Sequence, residues 1–302
     1  TEILKALEND TLYNGKGKTL MEIGATVLPH FPKDTTDRNR TSPFAFTGNK
    51  FEFRMLGSAL STAEPIIVLN TIVAEVLSQF ADVLEKSSDF NKDLNQLIKT
   101  TIKEHKRIIF NGNGYDSSWI KEAERRGLHN FRTTPEALPA LIDPKNVEMF
   151  IRHKVFTKNE IYSRYEILLE NYSKTINIEA LTMIDMVNKL IIPAVLGYQK
   201  ELADLIIQKK AVSAEIPTSL EEELLKKISR LSECLKTRLD HLYEQTIEVR
   251  ETKDSLELAR AYREKVFAAM NELRLIVDEL ETLVSRDHWK IPTYAEILNS
   301  VM

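Results

Sequence analysis

The sequence predicts a mostly helical α+β chain in two parts. Glycine and proline are scarce, at 9 and 10 copies in 302 residues, and they cluster before residue 145, where turns and strands should concentrate. Alternating aromatic and polar residues occur near residue 50, and apolar residues at heptad spacing occupy the last third. Short strands are therefore expected early in the chain, and helices should dominate after them.

The strand prediction rests on residues 44–54. Phe44-Ala45-Phe46 and the run Phe51 to Arg54 flank Gly48-Asn49, which predicts two short strands around a turn. Side chains alternate along a strand, so Glu52 and Arg54 should share one polar face.

Several helices are predicted before the heptad region. Each has an apolar run bounded by a capping or breaking residue. The first predicted helix, Ile66 to Leu84, should be buried and has Pro65 in its first turn. The second is Asn91 to Phe110, and the third ends at Arg126 and is capped by Ser117 or Ser118. A long fourth helix begins at about Asn159 and is interrupted by Pro193.

Two apolar stripes predict an antiparallel, coiled-coil-like helical hairpin in the last third of the chain. The connection between its helices should lie near Thr246 to Asp254. The first stripe is Leu224, Ile228, Leu231, Leu235, Leu239 and Leu242, and the second is Tyr262, Val266, Ala269, Leu273, Ile276, Leu280 and Leu283.

Composition narrows the possible partners. The formal net charge of −4 does not favour non-specific nucleic-acid binding. No apolar run approaches the roughly 20 residues of a membrane span, so no membrane partner is expected. Cys234 is the single cysteine, which excludes an internal disulfide and suits a reducing, cytoplasmic setting. Because the sequence starts at Thr1 in a helical pattern, we expect it to be a piece of a longer protein.

Candidate chemistry is concentrated in residues 37–54. Arginine binds phosphate through its planar fork, and a carboxylate on a rigid strand can hold a divalent metal. A surface hairpin with an exposed ion pair is the alternative, and spacing alone favours it. The six histidines show no paired metal-ligand spacing, and residues 111–114 lack the Gly-Lys-Ser/Thr continuation of a phosphate loop.

The run Asp37 to Arg54 resembles a known family. Asn39-Arg40 followed by the strand triplet Glu52-Phe53-Arg54 is similar to the pattern of glutamine synthetases, and the whole run resembles their type III class. The resemblance implies an ATP-dependent glutamate–ammonia ligase that forms glutamine through a γ-glutamyl phosphate. It divides the chain into residues 1–175, the distal part of the catalytic domain, and residues 176–302, a C-terminal helical domain.

The same resemblance implies roles for four residues. Glu52 would bind metal, Mg²⁺ or Mn²⁺, and Arg40 would face the transferred phosphate of ATP. Arg54 would bind the substrate glutamate or the phosphate, and Lys50 would lie near the nucleotide. The family also implies glutamate, ammonium and ATP as substrates, and a homo-oligomer of stacked hexameric rings, a dodecamer.

This sequence departs from the family in two ways. Many members carry a second arginine where this chain has Ala45, and the stretch from Arg40 to Glu52 is shorter than in type I enzymes. The family's other metal ligands, its glutamate loop and its flap would lie before Thr1. We therefore expect this chain to be inactive alone.

Two alternatives stay open at this point. One is a helical assembly or scaffold module without catalysis, whose working surface is the heptad hairpin. The other is a synthetase relative that has lost activity or ligates a different amine. Upstream carboxylates and a histidine would favour a synthetase over a scaffold.

Overall fold

The computed structural model of the chain describes residues 2–9, 11, 20–21, 31–32, 44–46, 51–53, 57, 60–110 and 116–300. Within these ranges, contacts divide the chain into two compact units. The first unit comprises residues up to 131 together with 144–157, and the second comprises residues 132–143 together with 158–302.

Four short strands form two antiparallel pairs in the first unit. β1 (Leu20–Met21) pairs with β2 (Phe31–Pro32), and β3 (Phe44–Phe46) pairs with β4 (Phe51–Phe53). The second pair confirms the hairpin predicted from the alternation of residues 44–54. Its predicted turn at Gly48-Asn49 lies outside the described residues.

Five helices belong to the first unit. They are α1 (Glu2–Asn9), α2 (Ala63–Leu84), α3 (Phe90–His105), α4 (Ser117–Arg125) and α6 (Pro144–Arg152). The prediction that Ser117 or Ser118 caps α4 was wrong. The cap is Asp116, whose carboxylate accepts a hydrogen bond from the backbone N–H of Ser118 at 2.7 Å.

Helix α2 forms where the sequence predicts it, but the prediction that it is buried was wrong. Thr71 is its only buried residue among those that the structure describes. Its exposed apolar residues are Ile66, Ile72, Val73, Val76, Leu77 and Val83. The apolar sequence of a helix favours burial but does not supply a covering partner.

Among the described residues, two helical stretches are long and apolar enough to cross a membrane by length and composition, namely Ala63–Leu84 and Lys158–Val212. This corrects the expectation that no apolar run approaches that length. The second stretch buries residues such as Leu169 and Val195 in a protein core, as core helices do. The first carries Glu75 in its middle, and a carboxylate at mid-membrane depth is costly.

The second unit contains the remaining helices of the described residues. They are α5 (Thr134–Ala137), α7 (Lys158–Met186), α8 (Ile192–Val212), α9 (Ser219–Glu248), α10 (Ser255–Ala261), α11 (Phe267–Leu283) and α12 (Tyr294–Asn299). Helices α7, α8, α9 and α11 enclose one hydrophobic core, in which Trp289 is 1% exposed. Trp289 is therefore a packing residue of this core.

The two heptad stripes are part of this core. Ile228, Leu235 and Leu242 of α9 and Leu273 and Leu280 of α11 are all buried. Ion pairs between the two helices link Lys227 to Glu279 at 2.9 Å and Arg238 to Glu272 at 2.6 Å, so α9 and α11 run antiparallel. A third pair, of 2.6 Å, joins Glu248 of α9 to Lys265 in the turn that precedes α11.

The stripes do not form a self-contained pair, because residues of α7 and α8 share the same core. The connection lies where it is predicted. A 3₁₀ turn at Val249–Glu251 follows α9, and Asp254 caps α10 by accepting hydrogen bonds from Leu256 N and Glu257 N.

Two π-helical turns interrupt the long helices of the second unit, at Val187–Ile191 and Tyr262–Val266. Pro193 follows the first turn. It has no N–H to donate and crowds the preceding turn, which confirms the predicted interruption. Residues 175 and 176, the boundary predicted from the family, lie inside α7; that boundary stays a prediction about family domains.

Candidate functional site

Glu52 is the predicted site residue whose position the structure describes. It is the central residue of β4, it is half-buried, and it lies opposite Ala45 of β3 in the antiparallel ladder. Opposite residues in such a ladder are the closest cross-strand neighbours. The residue directly opposite Glu52 is therefore the uncharged Ala45. The resemblance implies an arginine at that position in many family members.

Arg40, Lys50 and Arg54 lie outside the described residues, so their predicted roles stay predictions. Within the described ranges, no three His, Cys, Asp or Glu side chains come together as a metal site. A two-metal centre built on Glu52 therefore needs ligands beyond those ranges.

A carboxylate that the sequence analysis did not single out joins α2 to α6. Glu75 of α2 accepts a hydrogen bond from Arg152 Nη1 at 2.5 Å and from Gln79 Nε2 at 2.8 Å. Its second oxygen lies 2.7 Å from His153 Nε2. The sequence pattern that could have indicated this contact is a lone carboxylate in the middle of an apolar helix. A carboxylate that is shielded from water requires a hydrogen-bonding or charged partner.

These contacts lower the pKa of Glu75 below its ordinary value. Hydrogen bonds from Gln79 and then His153 are the main causes, and the positive charge of Arg152 adds to them. The contact between Glu75, Arg152 and His153 holds α2 against α6. Helix α2 follows β4, the strand that carries the predicted metal ligand Glu52.

The segments before and after residues 111–115 are held together by stacking. The rings of Phe110 and Trp119 lie 3.8 Å apart between centroids, and the Arg126 guanidinium lies 5.4 Å from the Trp119 ring. Arg126 Nη1 also donates to the carbonyl of Ile109 at 2.9 Å. Residues 111–115 themselves lie outside the described residues.

Glu122 ties this region together electrostatically. It accepts hydrogen bonds from Arg125 Nε at 2.7 Å and Arg126 Nε at 2.6 Å. Hydrogen bonds from Arg125 and Arg126 lower the pKa of Glu122 to about 2. Two of the cations near the loop are thus already paired, which weakens the case for a phosphate site there.

The sequence of this chain is similar to known proteins of one family. Residues 93–210 match the family described as "Glutamine synthetase C-terminal domain". A glutamine synthetase of Butyrivibrio fibrisolvens is 40% identical over 301 residues, which is 99% of this chain. The chain is a relative of the glutamine synthetases.

Two further relatives point the same way. A type-3 glutamine synthetase of Dictyostelium discoideum is 37% identical over 303 residues, and a glutamine synthetase of Bacteroides fragilis is 32% identical over 305 residues, each covering 98% of this chain. The resemblance to glutamine synthetases stated from residues 37–54 is confirmed.

The chain spans only about two fifths of the relatives it matches, at 43%, 41% and 42% of their lengths. The family match at 93–210 lies downstream of Glu52 and of the three predicted site residues that the structure does not describe. The roles of these four residues stay predictions.

Proposed function

We propose that this chain is part of a glutamine synthetase, which forms glutamine from glutamate, ammonia and ATP through a γ-glutamyl phosphate. The observation that carries the proposal is 40% identity to a glutamine synthetase along 99% of the chain. The substrates, the nucleotide and a divalent metal, Mg²⁺ or Mn²⁺, follow from that family and are part of the proposal.

Within that reaction, Glu52 holds a metal at the nucleotide end of the site. Its half-buried position on a strand supports this role, because a rigid strand holds a ligand in place better than a loop. Arg40 stabilises the transferred phosphate, Arg54 binds glutamate or phosphate, and Lys50 lies near the nucleotide. Arginine suits phosphate because its fork donates two parallel hydrogen bonds.

The proposal also includes a cytoplasmic homo-oligomer with stacked hexameric rings. The scaffold alternative places its working surface on the heptad stripes. Ile228, Leu235 and Leu273 in those stripes are buried within the second unit. A buried stripe is not available to a partner, so this form of the alternative loses its support.

The test is Glu52→Gln in the whole synthetase polypeptide. The variant keeps the side-chain shape and removes the charge that binds metal, so turnover should fall by roughly two orders of magnitude or more. Glu64→Gln is the matched control, since Glu64 lies exposed at the start of α2. Near-normal turnover of Glu52→Gln at saturating metal would refute the metal role.

A further inference from the structure

An apolar groove lies within the second unit, between α7, α11 and the segment that leads into α12. Its volume is about 660 Å³. Apolar side chains form most of its walls, namely Ile178, Met183 and Met186 on the α7 side, Met270 and Val277 on α11, and Ile291. Three methionines in one groove give a wall that adapts to differently shaped apolar partners.

The groove is elongated rather than compact. Its lining positions run from 178 to 191 along α7 and the π turn, and from 270 to 281 along α11. At the helical rise of 1.5 Å per residue, these walls are about 20 and 17 Å long. That length matches three to four turns of a helix laid along the groove.

The rim of the groove has a surplus of negative charge. Glu179, Asp278 and Glu281 contribute three carboxylates, against the single guanidinium of Arg274. That guanidinium is already engaged, since Arg274 Nε lies 3.5 Å from Asp278 Oδ2 and Arg274 Nη2 donates to the hydroxyl of Tyr294. Asp278 and Glu281 also accept hydrogen bonds, from the hydroxyl and the backbone N–H of Tyr294 at 3.1 Å each, but Tyr294 brings no positive charge, so the rim keeps its surplus of negative charge. A ligand with cationic flanks is therefore favoured over an anionic one.

We propose that this groove binds a basic amphipathic helix of a partner protein, an activity separate from the proposed ligase reaction. The apolar face of the helix lies on the methionine-rich floor, and its Lys or Arg side chains pair with the rim carboxylates. The charge argues against a second copy of the chain docking groove to groove, because like-charged rims would face each other.

The probes are two labelled peptides of about 16 residues with leucines at the same i, i+3, i+4, i+7 positions. One carries lysine at the flanking positions and the other glutamate. Fluorescence anisotropy with the purified 302-residue chain should show the lysine peptide binding at least roughly ten-fold more tightly, with an affinity that falls as salt is raised.

Two isoleucines provide a matched pair of variants. Ile178 lines the groove and is 63% exposed, whereas Ile207 of α8 is 66% exposed and does not line it. Both positions tolerate lysine without loss of the fold, because both are exposed. Ile178→Lys should weaken the lysine peptide by roughly ten-fold or more, and Ile207→Lys by less than about two-fold.

A second pair tests the rim charge. Glu179→Gln removes a rim carboxylate, and Glu166→Gln removes an exposed carboxylate elsewhere on α7. Only the first should weaken the lysine peptide and reduce its salt dependence.

Equal binding of the two peptides would overturn the proposal, and so would equal loss in both isoleucine variants or the absence of binding by either peptide. Self-association of the chain that Ile178→Lys abolishes, seen by analytical ultracentrifugation without peptide binding, would replace the partner helix by a second copy. None of these readouts depends on glutamine formation, so they leave the proposed ligase function unaffected.

Discussion

At Gly197, a residue distant in the sequence limits the size of the side chain that fits. It lies inside α8, where glycine costs about 1 kcal/mol relative to alanine. A Cβ at this position would lie 2.8 Å from His288 Nδ1 and 3.3 Å from His288 Cε1. The imidazole occupies that space while its Nε2 lies 2.7 Å from Glu201 Oε2. A side chain at position 197 would therefore force the His288 ring to move.

We expect Gly197→Ala to lower the free energy of unfolding by about 1 kcal/mol, because the cost of displacing His288 exceeds the gain in helix propensity. In a His288→Ala background the same change should instead stabilise the protein by about 0.5–1 kcal/mol. Urea unfolding of the four proteins in this double-mutant cycle measures both effects. An identical effect in the two backgrounds would show that the His288 contact is not the cause.

Glu75 provides a pH-dependent contribution to stability. Its pKa is lowered in the folded state, chiefly by hydrogen bonds from Gln79 and His153. A lowered pKa means that the contribution is present above the ordinary value of 4.5 and is lost as pH falls through the lower folded value.

Glu75→Gln should therefore destabilise the protein at neutral pH, and the difference from the wild type should shrink as pH falls below 4.5. Urea unfolding followed by circular dichroism at neutral and acidic pH measures this. The control is Asp82→Asn, which removes an exposed carboxylate from the same helix. A destabilisation of equal size at both pH values would contradict the assignment.

At the scale of single elements, α11 shows that two leucines of the same helix can differ completely in burial. Leu273 is 0% exposed in the core, whereas Leu275, two residues later on the same helix, is 69% exposed. The heptad spacing distinguishes the two, because it includes Leu273 and excludes Leu275. In helix α2 the sequence pattern does not distinguish buried from exposed residues, because apolar residues occur all around the helix.

Leu273→Ala should cost about 2–5 kcal/mol of unfolding free energy, since it removes a buried side chain and leaves a cavity. Leu275→Ala makes the same chemical change at an exposed position and should alter stability by less than about 0.5 kcal/mol. Chemical unfolding followed by helical circular dichroism compares the two. Similar losses in both variants would mean that the stripe does not define the core.

At the scale of the whole molecule, the chain provides one predicted metal ligand, Glu52. Magnesium gives up its waters reluctantly, and a single carboxylate binds it only weakly. The relatives that are named glutamine synthetases are more than twice as long as the segment matched here. The proposed reaction therefore needs residues from beyond this chain.

We expect the purified 302-residue chain to form no glutamine with saturating ATP, glutamate, ammonium and Mg²⁺ or Mn²⁺. In the part of the chain that the structure describes, no three metal-ligand side chains come together. A site without converging ligands would leave the phosphate of ATP neither neutralised nor positioned for transfer. The positive control is a full-length relative assayed in the same buffer. Metal-dependent turnover above background by this chain would require a complete site within its residues.

Much of the fold follows from local sequence. The β3–β4 hairpin, helix α2, the heptad stripes and the interruption before Pro193 all lie where short-range patterns place them. These features depend on residues within a few positions of one another, so spacing and capping are enough to predict them. The resemblance to glutamine synthetases rests instead on likeness to a known family over residues 37–54, since spacing alone favoured a surface hairpin there.

Only the tertiary structure decided which apolar surfaces are covered and which charges meet. It exposed the face of α2, brought Glu75 to Arg152 and His153, and opened the groove beside Met186. It also added α7 and α8 to the core in which α9 and α11 pack. The physical reason is sequence separation: these contacts join residues tens of positions apart, and no local periodicity contains that information.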